Sequence, residues 1–299
     1  MQSGILLLDK PLGLSSNAAL QRVRRTLGVE KAGHVGSLDP LATGMLPICL
    51  GEATKIAGDV LAGRKCYRFT IGLGERTATG DTEGAVVETA AVPVLDAAVV
   101  DAVRKQFLGQ QTQIPPMYSA IKRDGQPLYK LARAGVEVER AAREIEVFDL
   151  LVLGFSGDRI ELETVCSKGT YIRVLSEDIA KALRTCGHVT ALRRVHVEPF
   201  GSEPMETLES VAWAREQGTW PRVLPADWPL GHLPKVALDG PQVGRIMHGQ
   251  AVFIAPDPLL SGLAAARVRL YDPAGRFLGI GEADGSGSIK PRRLFNAES

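Results

Sequence analysis

The stretch Ala32-Gly33-His34-Val35-Gly36-Ser37-Leu38-Asp39-Pro40-Leu41-Ala42-Thr43-Gly44-Met45-Leu46-Pro47 gathers the residues of this chain best suited to chemistry. Gly33, Gly36 and Gly44 open backbone conformations closed to other residues. Pro40 removes one donor and steers Asp39 away from helical geometry. An aspartate on such a loop is held in place, and a fixed carboxylate can attack an electrophile or steady developing positive charge. The plainer alternative is a turn aspartate satisfied by nearby N–H groups. A phosphate cradle does not fit, because Gly44 is followed by Met45 and Leu46 rather than Lys and Ser or Thr, and no G-x-G-x-x-G is present. His34 and Asp39 have no partners at ligand spacing, so no metal is expected.

The surrounding elements must hold that loop. Ile5 to Leu8 reads as a buried strand running into Asp9-Lys10-Pro11. Ser15-Ser16-Asn17 offers a helix cap, Leu20, Val23 and Leu27 recur at helical spacing, and Gly28 stops the helix. Arg22, Arg24 and Arg25 lie mostly off that apolar stripe. Cys66 to Leu73 alternates as a strand, Glu75 to Gly84 reads as a hairpin loop, and Ala85 to Glu88 returns. Asp96 caps a helix carrying Val99, Val100, Val103 and Phe107, and Leu128 and Leu131 mark a short one. Ile145 to Leu153 and Ile160 to Val165 look like paired strands. A helix is expected from Ser176 or Glu177 to Arg184, a strand over Ala191–Val197 and a helix over Thr207–Gln217. Pro221, Pro225 and Pro229 mark residues 221–232 as a linker. Beyond it, from 233 to 299, Ala251–Ile254, Ala266–Tyr271 and Phe277–Ile280 suggest a small β-rich domain. Without regular βαβ alternation, the class is α+β.

The run from Gly33 to Gly44 closely resembles the active-site motif of the TruB family of tRNA pseudouridine synthases. Four further segments resemble that family in order: Gly4-Ile5-Leu6-Leu7-Leu8-Asp9-Lys10-Pro11, Lys65-Cys66-Tyr67-Arg68, Ile114-Pro115-Pro116-Met117-Tyr118-Ser119-Ala120 and Cys166-Ser167-Lys168-Gly169-Thr170-Tyr171-Ile172-Arg173. His188-Val189 and Leu192-Arg193-Arg194 follow at the family's spacing. One departure stands out: Ala78, in Thr77-Ala78-Thr79-Gly80-Asp81, sits where many members carry Asp, while Asp81 is retained.

The resemblance implies a pseudouridine-synthase core with a mixed or antiparallel sheet and flanking helices over residues 1–220, an insert at about 91–142, and a PUA-like RNA-binding domain over 233–299. It implies isomerisation of uridine 55 in the T loop of tRNA, in which the base is flipped out and its N-glycosidic bond is replaced by a carbon–carbon bond. That reaction involves no redox change and no group donor, so no cofactor is expected. The resemblance assigns the nucleophile to Asp39 and places the Arg173 guanidinium on it. It assigns base stacking and assistance to proton transfer to Tyr67, base-pocket positions to Tyr171 and Leu192, entry into the RNA loop to His34, and support to Lys10 and Asp81. Read alone, Tyr67 and Leu192 would be core, Lys10 a surface lysine, His34 structural and Arg173 an exposed strand-end residue.

The whole-chain balance fits. Among 299 residues, 35 Lys and Arg face 34 Asp and Glu, which excludes a polybasic protein but leaves room for a local basic patch. Residues 1–75 carry nine basic and six acidic groups, net +3. Four cysteines without C-x-x-C spacing read as free thiols in a reducing compartment. No signal peptide or membrane span is evident, so a cytoplasmic monomer acting on the tRNA T-arm without protein partners is expected. The competing reading is a non-catalytic tRNA-binding or RNA-chaperone module on the same scaffold. The guide-RNA-dependent archaeal and eukaryotic type resembles this family too, but usually carries charged tails.

Overall fold

The computed structural model describes residues 3–123, 125–254 and 266–296. Nine strands build the main sheet: β1 (Gly4–Lys10), β2 (Ala32–His34), β3 (Ala42–Leu50), β4 (Lys65–Leu73), β5 (Gly109–Gln113), β6 (Arg143–Ser156), β7 (Arg159–Cys166), β8 (Gly187–Val197) and β9 (Leu224–Pro225). Their order is β9-β1-β3-β8-β4-β7-β6-β5, with β2 added on β3. Every pair is antiparallel except β3 and β8, which run parallel with Ala42, Thr43 and Gly44 beside Leu192, Arg193 and Arg194.

The unbroken apolar run of β1 follows from burial on both faces. Leu6 and Leu8 enter one core cluster, and Ile5 and Leu7 enter another. β3 divides the same way, with Leu46 and Ile48 in the first cluster and Met45 and Cys49 in the second. Helices α1 (Ser16–Leu27) and α5 (Ile172–Ala182) contribute Leu20, Val23, Leu175 and Ile179 to the first cluster. The Ser15 hydroxyl accepts from the Ala18 N–H at the start of α1, and Gly28 ends it in the left-handed conformation.

The remaining helices are α2 (Ala57–Ala62), α3 (Ala97–Gln106), α4 (Leu128–Arg133), α6 (Leu208–Glu216) and α7 (Gly240–Met247). The segment from Glu75 is not wholly loop: Glu75–Thr77 pairs with Val86–Thr89 as a short ribbon, leaving the turn between them. α5 begins at Ile172, several residues before the expected start. Arg173 therefore stands in the first turn of a helix and is buried, not at an exposed strand end.

Residues 221–232, expected to be a linker, are woven into the main body. Leu224 and Pro225 pair with Ile5 and Gly4, and Leu230 is fully buried. The C-terminal unit is a five-stranded sheet of Lys235–Ala237, Val252–Phe253, Ala266–Tyr271, Phe277–Ala283 and Ser288–Leu294, with α7 against it. Its own core holds Val236, Ile246, Val268, Leu270 and Ile289. Ile280 and Phe295 instead join the second cluster of the main body, beside Ile56, Phe200 and Leu230. Polar ties accompany that contact: the Lys55 ammonium donates to the Leu294 carbonyl over 2.6 Å, and the Asn296 N–H donates to Glu52 over 3.0 Å.

Candidate active site

A cavity of about 350 Å³ opens where the loop before β3 faces β4, β8 and the start of α5. Asp39, Tyr67, Tyr171, Arg173 and Leu192 all line it. The expected residues His34, Lys10 and Asp81 are outside its lining.

The loop before β3 carries Asp39 and is tied down on several sides. The Ser16 hydroxyl accepts from the Leu38 N–H over 2.7 Å and donates to the Leu38 carbonyl over 3.0 Å. The Lys10 side chain is fully buried, and its ammonium donates to the carbonyls of Leu14 (2.6 Å), Pro11 (2.9 Å) and Pro40 (3.4 Å). Lys10 is therefore an internal brace rather than a surface lysine. Burial lowers its pKa to about 8 against the pull of Asp39 and Glu83. The Gly13 N–H adds a bond of 2.9 Å to the Pro40 carbonyl.

Arg173 holds the carboxylate itself. Its Nε lies 2.9 Å from Asp39 Oδ2 and 3.7 Å from Asp81 Oδ2. The two terminal nitrogens donate to the carbonyls of Thr79 (2.7 Å) and Tyr118 (2.6 Å), so the guanidinium cannot turn. Only 5 % of the Arg173 side chain is exposed, against 40 % of Asp39, which keeps an open side toward the cavity. Burial pushes the Asp39 carboxyl above the ordinary carboxylate value. Arg173 opposes that rise, and the nearby Asp81 adds to it. Asp81 is buried, and its Oδ1 accepts from the Thr79 hydroxyl (2.5 Å) and the Glu83 N–H (3.0 Å). Ala78, the departure from the family pattern, leaves this arrangement complete.

The walls are aromatic and apolar. Tyr67 lies on β4 with 9 % of its surface exposed, and burial raises its hydroxyl pKa. Tyr171 precedes α5, and buried Gln113 fixes it by accepting from its N–H (3.0 Å) and donating to its carbonyl (3.3 Å). Leu192 comes from β8. His34 sits on β2 with its pKa lowered by burial, and its buried Nδ1 has no hydrogen-bond partner among the described residues.

Sequence reasoning missed Ser16, Gln113 and Arg194. Ser16 was legible as part of a helix cap, but nothing local signalled its reach to Leu38. Gln113 directly precedes the Ile114–Ala120 motif. That motif supplies the Tyr118 carbonyl to Arg173 and Ser119 and Ala120 to the lining. Arg194 ends the Leu192-Arg193-Arg194 run and is almost wholly buried. Among the described residues, no group of His, Cys, Asp or Glu is arranged to hold a metal ion, and no helix is long and apolar enough to cross a membrane.

The chain matches three family models: the N-terminal domain of the TruB family pseudouridylate synthases over residues 24–172, the tRNA pseudouridylate synthase B C-terminal domain over 173–230, and the pseudouridine synthase II TruB C-terminal domain over 234–295. The tRNA pseudouridine synthase B of Aromatoleum aromaticum is 47 % identical over 293 residues, covering 98 % of this chain and 92 % of its own length. That of Pseudomonas putida strain F1 is 49 % identical over 300 residues, covering 99 % and 96 %. Among solved structures, an H/ACA RNP bound to a substrate RNA containing 2′-deoxyuridine superposes with a TM-score of 0.72 at 21 % identity, over 99 % of this chain and 86 % of that one. A Cbf5-Nop10-Gar1 complex gives 0.69 at 24 %, over 99 % and 84 %. The protein is a pseudouridine synthase in fold and in sequence. Within that class the chain belongs to the TruB family.

Proposed function

We infer that this chain is an isomerase that converts uridine to pseudouridine at position 55 in the T loop of tRNA. The observation that carries the reading is a carboxylate fixed by a buried guanidinium at the edge of a cavity of about 350 Å³ lined by two tyrosines.

A uridine stacked in a folded loop is out of reach until it is flipped out, and a flipped base needs a flat, desolvated receptor. Tyr67 offers the ring face, while Tyr171 and Leu192 close the pocket around the base. Asp39 then acts on the exposed uridine, with Arg173 orienting its carboxylate so that the free oxygen faces the cavity. The Asp39 carboxyl must be ionised to attack, and Arg173 is the cation that opposes the effect of burial. Tyr67 assists proton transfer as C5 bonds to the sugar and its hydrogen leaves. His34 enters the RNA loop beside the vacated position. Lys10 and Asp81 act from behind, through the Pro40 carbonyl and through Arg173.

The enzyme works as a monomer in the cytoplasm without a protein partner. The unit from residue 233 extends the RNA footprint beyond the T-arm, offering the exposed Arg245, Lys290 and Arg293 to phosphates. The test is incubation of the pure protein with unmodified T-arm RNA carrying 5-tritiated uridine, with no cofactor added. Tritium release with pseudouridine at the target position supports the reading. RNA binding without release would leave a non-catalytic module.

A further inference from the structure

Asp39 sits on the loop between β2, which ends at His34, and β3, which begins at Ala42; Gly36 lies early in that loop and Met45 just past its far end. Arg194, 149 residues beyond Met45, reaches both ends of it. Its Nε donates to the Met45 carbonyl over 2.7 Å, and one terminal nitrogen donates to the Gly36 carbonyl over 2.8 Å. The backbone of Arg194 closes on the same loop, since β8 runs parallel to β3 there with Arg194 opposite Gly44. A Cβ on Gly44 would collide with the Arg194 carbonyl, and one on Gly36 would come within 3.1 Å of a terminal guanidinium nitrogen. On its other side, Arg194 is the antiparallel partner of Tyr67 on β4. The side chain is 1 % exposed, and no carboxylate lies within ion-pair distance of it among the described residues.

A buried cation satisfied mainly by carbonyls is an expensive way to close a loop, because desolvation is not offset by an opposite charge. An apolar side chain would fill the space more cheaply but could not bind two carbonyls with one rigid plane. We propose that Arg194 is a positioning residue for catalysis: its guanidinium staples the two ends of the Asp39 loop and sets that loop at a fixed distance from Tyr67. The proposal rests on the functional reading above. The field of Arg194 also bears on this neighbourhood, lowering the pKa of His34 and opposing the rise at Tyr67. A staple of this kind acts on the geometry of attack. It leaves RNA affinity to the surfaces around the cavity.

The test is Arg194→Lys, which keeps the charge and loses the two-pronged bond. Thermal melting establishes that the variant is folded. Its single-turnover tritium release from T-arm RNA is expected to slow about a hundredfold, the scale of a misplaced reacting group. Its Kd for the same RNA, measured in an Asp39→Asn background, is expected to stay within about twofold. Gly36→Ala leaves residue 194 unsubstituted but presses a Cβ against its guanidinium and strains a left-handed backbone position, so it disturbs the staple from the loop side and answers the question if Arg194→Lys does not fold. When both fold, their effects on the rate are expected to fall well short of additive, because each breaks the same contact. A rate within threefold of the parent, a Kd that weakens in step with the rate, or strictly additive effects would overturn the proposal. The parent protein is run alongside: an inactive parent defeats the functional reading, whereas an active parent with a fast variant defeats only the staple.

Discussion

Asp39 and Arg173 form a pair in which one member is open to the cavity and the other is locked. Asp39→Asn removes the charge and the nucleophile with almost no change in volume, so binding of T-arm RNA should persist while single-turnover release falls below about one per cent of the parent. Arg173→Lys keeps the charge but cannot meet Asp39, the Thr79 carbonyl and the Tyr118 carbonyl together. Its rate should drop about a hundredfold with the RNA Kd little changed, read from the same paired measurements. Asp39 was legible in the sequence because glycines and a proline on either side announce a held loop. Arg173 was legible only through resemblance. Its local signal misleads, since Tyr171 caps α5 with no side-chain bond, and Ile172 is β-branched where a helix starts.

At the scale of elements, the Asp39 loop is held by residues on β1, α1 and β8, not by its own composition. Lys10 is the clearest case, read as a strand-exit lysine and found sealed beneath the loop. A buried lysine with its pKa lowered to about 8 binds fewer protons in the folded chain than in the unfolded one between about pH 8 and the ordinary lysine value. Its contribution to stability therefore rises with pH across that window, and its burial cost is felt in full below it. Lys10→Met should remove this rise, seen as a flatter pH profile of the variant's own denaturant midpoint from pH 8 to 10. Loss of the donor to the Leu14, Pro11 and Pro40 carbonyls should cost the variant about 1–3 kcal/mol, offset near neutrality by relief of the burial cost, so its deficit against the parent should be largest near pH 10. Periodicity made β1, β4, β6, β7 and most of β8 readable, together with α1, α3, α4 and α6, but not β2, β3, β5 or α2, because the glycines and prolines around Asp39 mask β3 and the other three are short. Nor was the two-residue strand β9, because two residues carry no period and its proline suggested a break.

At the scale of the molecule, the C-terminal sheet completes the packing of the main body. Ile280 and Phe295 lie in one cluster with Ile56, Phe200 and Leu230, and Phe277 meets Phe295 edge-on with ring centres 5.0 Å apart. Calorimetry should therefore show one unfolding transition for the whole chain rather than two. Phe295→Ala should cost about 3–5 kcal/mol in urea melts, as a buried aromatic does. Two resolved transitions in the parent would mean that the units are stable separately. The sequence marked the C-terminal unit by its short apolar runs, but Ile280 and Phe295 look like any other members of those runs. Which of them face inward and which face the neighbouring unit depends on docking, not on local pattern.

The single parallel pairing in the main sheet bears on how the chain matures. Ala42 waits for Leu192, and the Asp39 loop waits for Arg194, a separation of about 150 residues that can close only after most of the main body has left the ribosome or collapsed in the tube. Contacts this distant in sequence form late, because the entropy of closing so long a loop is lost before the contact returns anything. The neighbouring hairpin of β6 and β7 has no such delay. In a refolding experiment, far-ultraviolet circular dichroism should thus recover before tritium-release activity does. The lag between the two is the time taken for the first fifth of the chain to meet its partner strand.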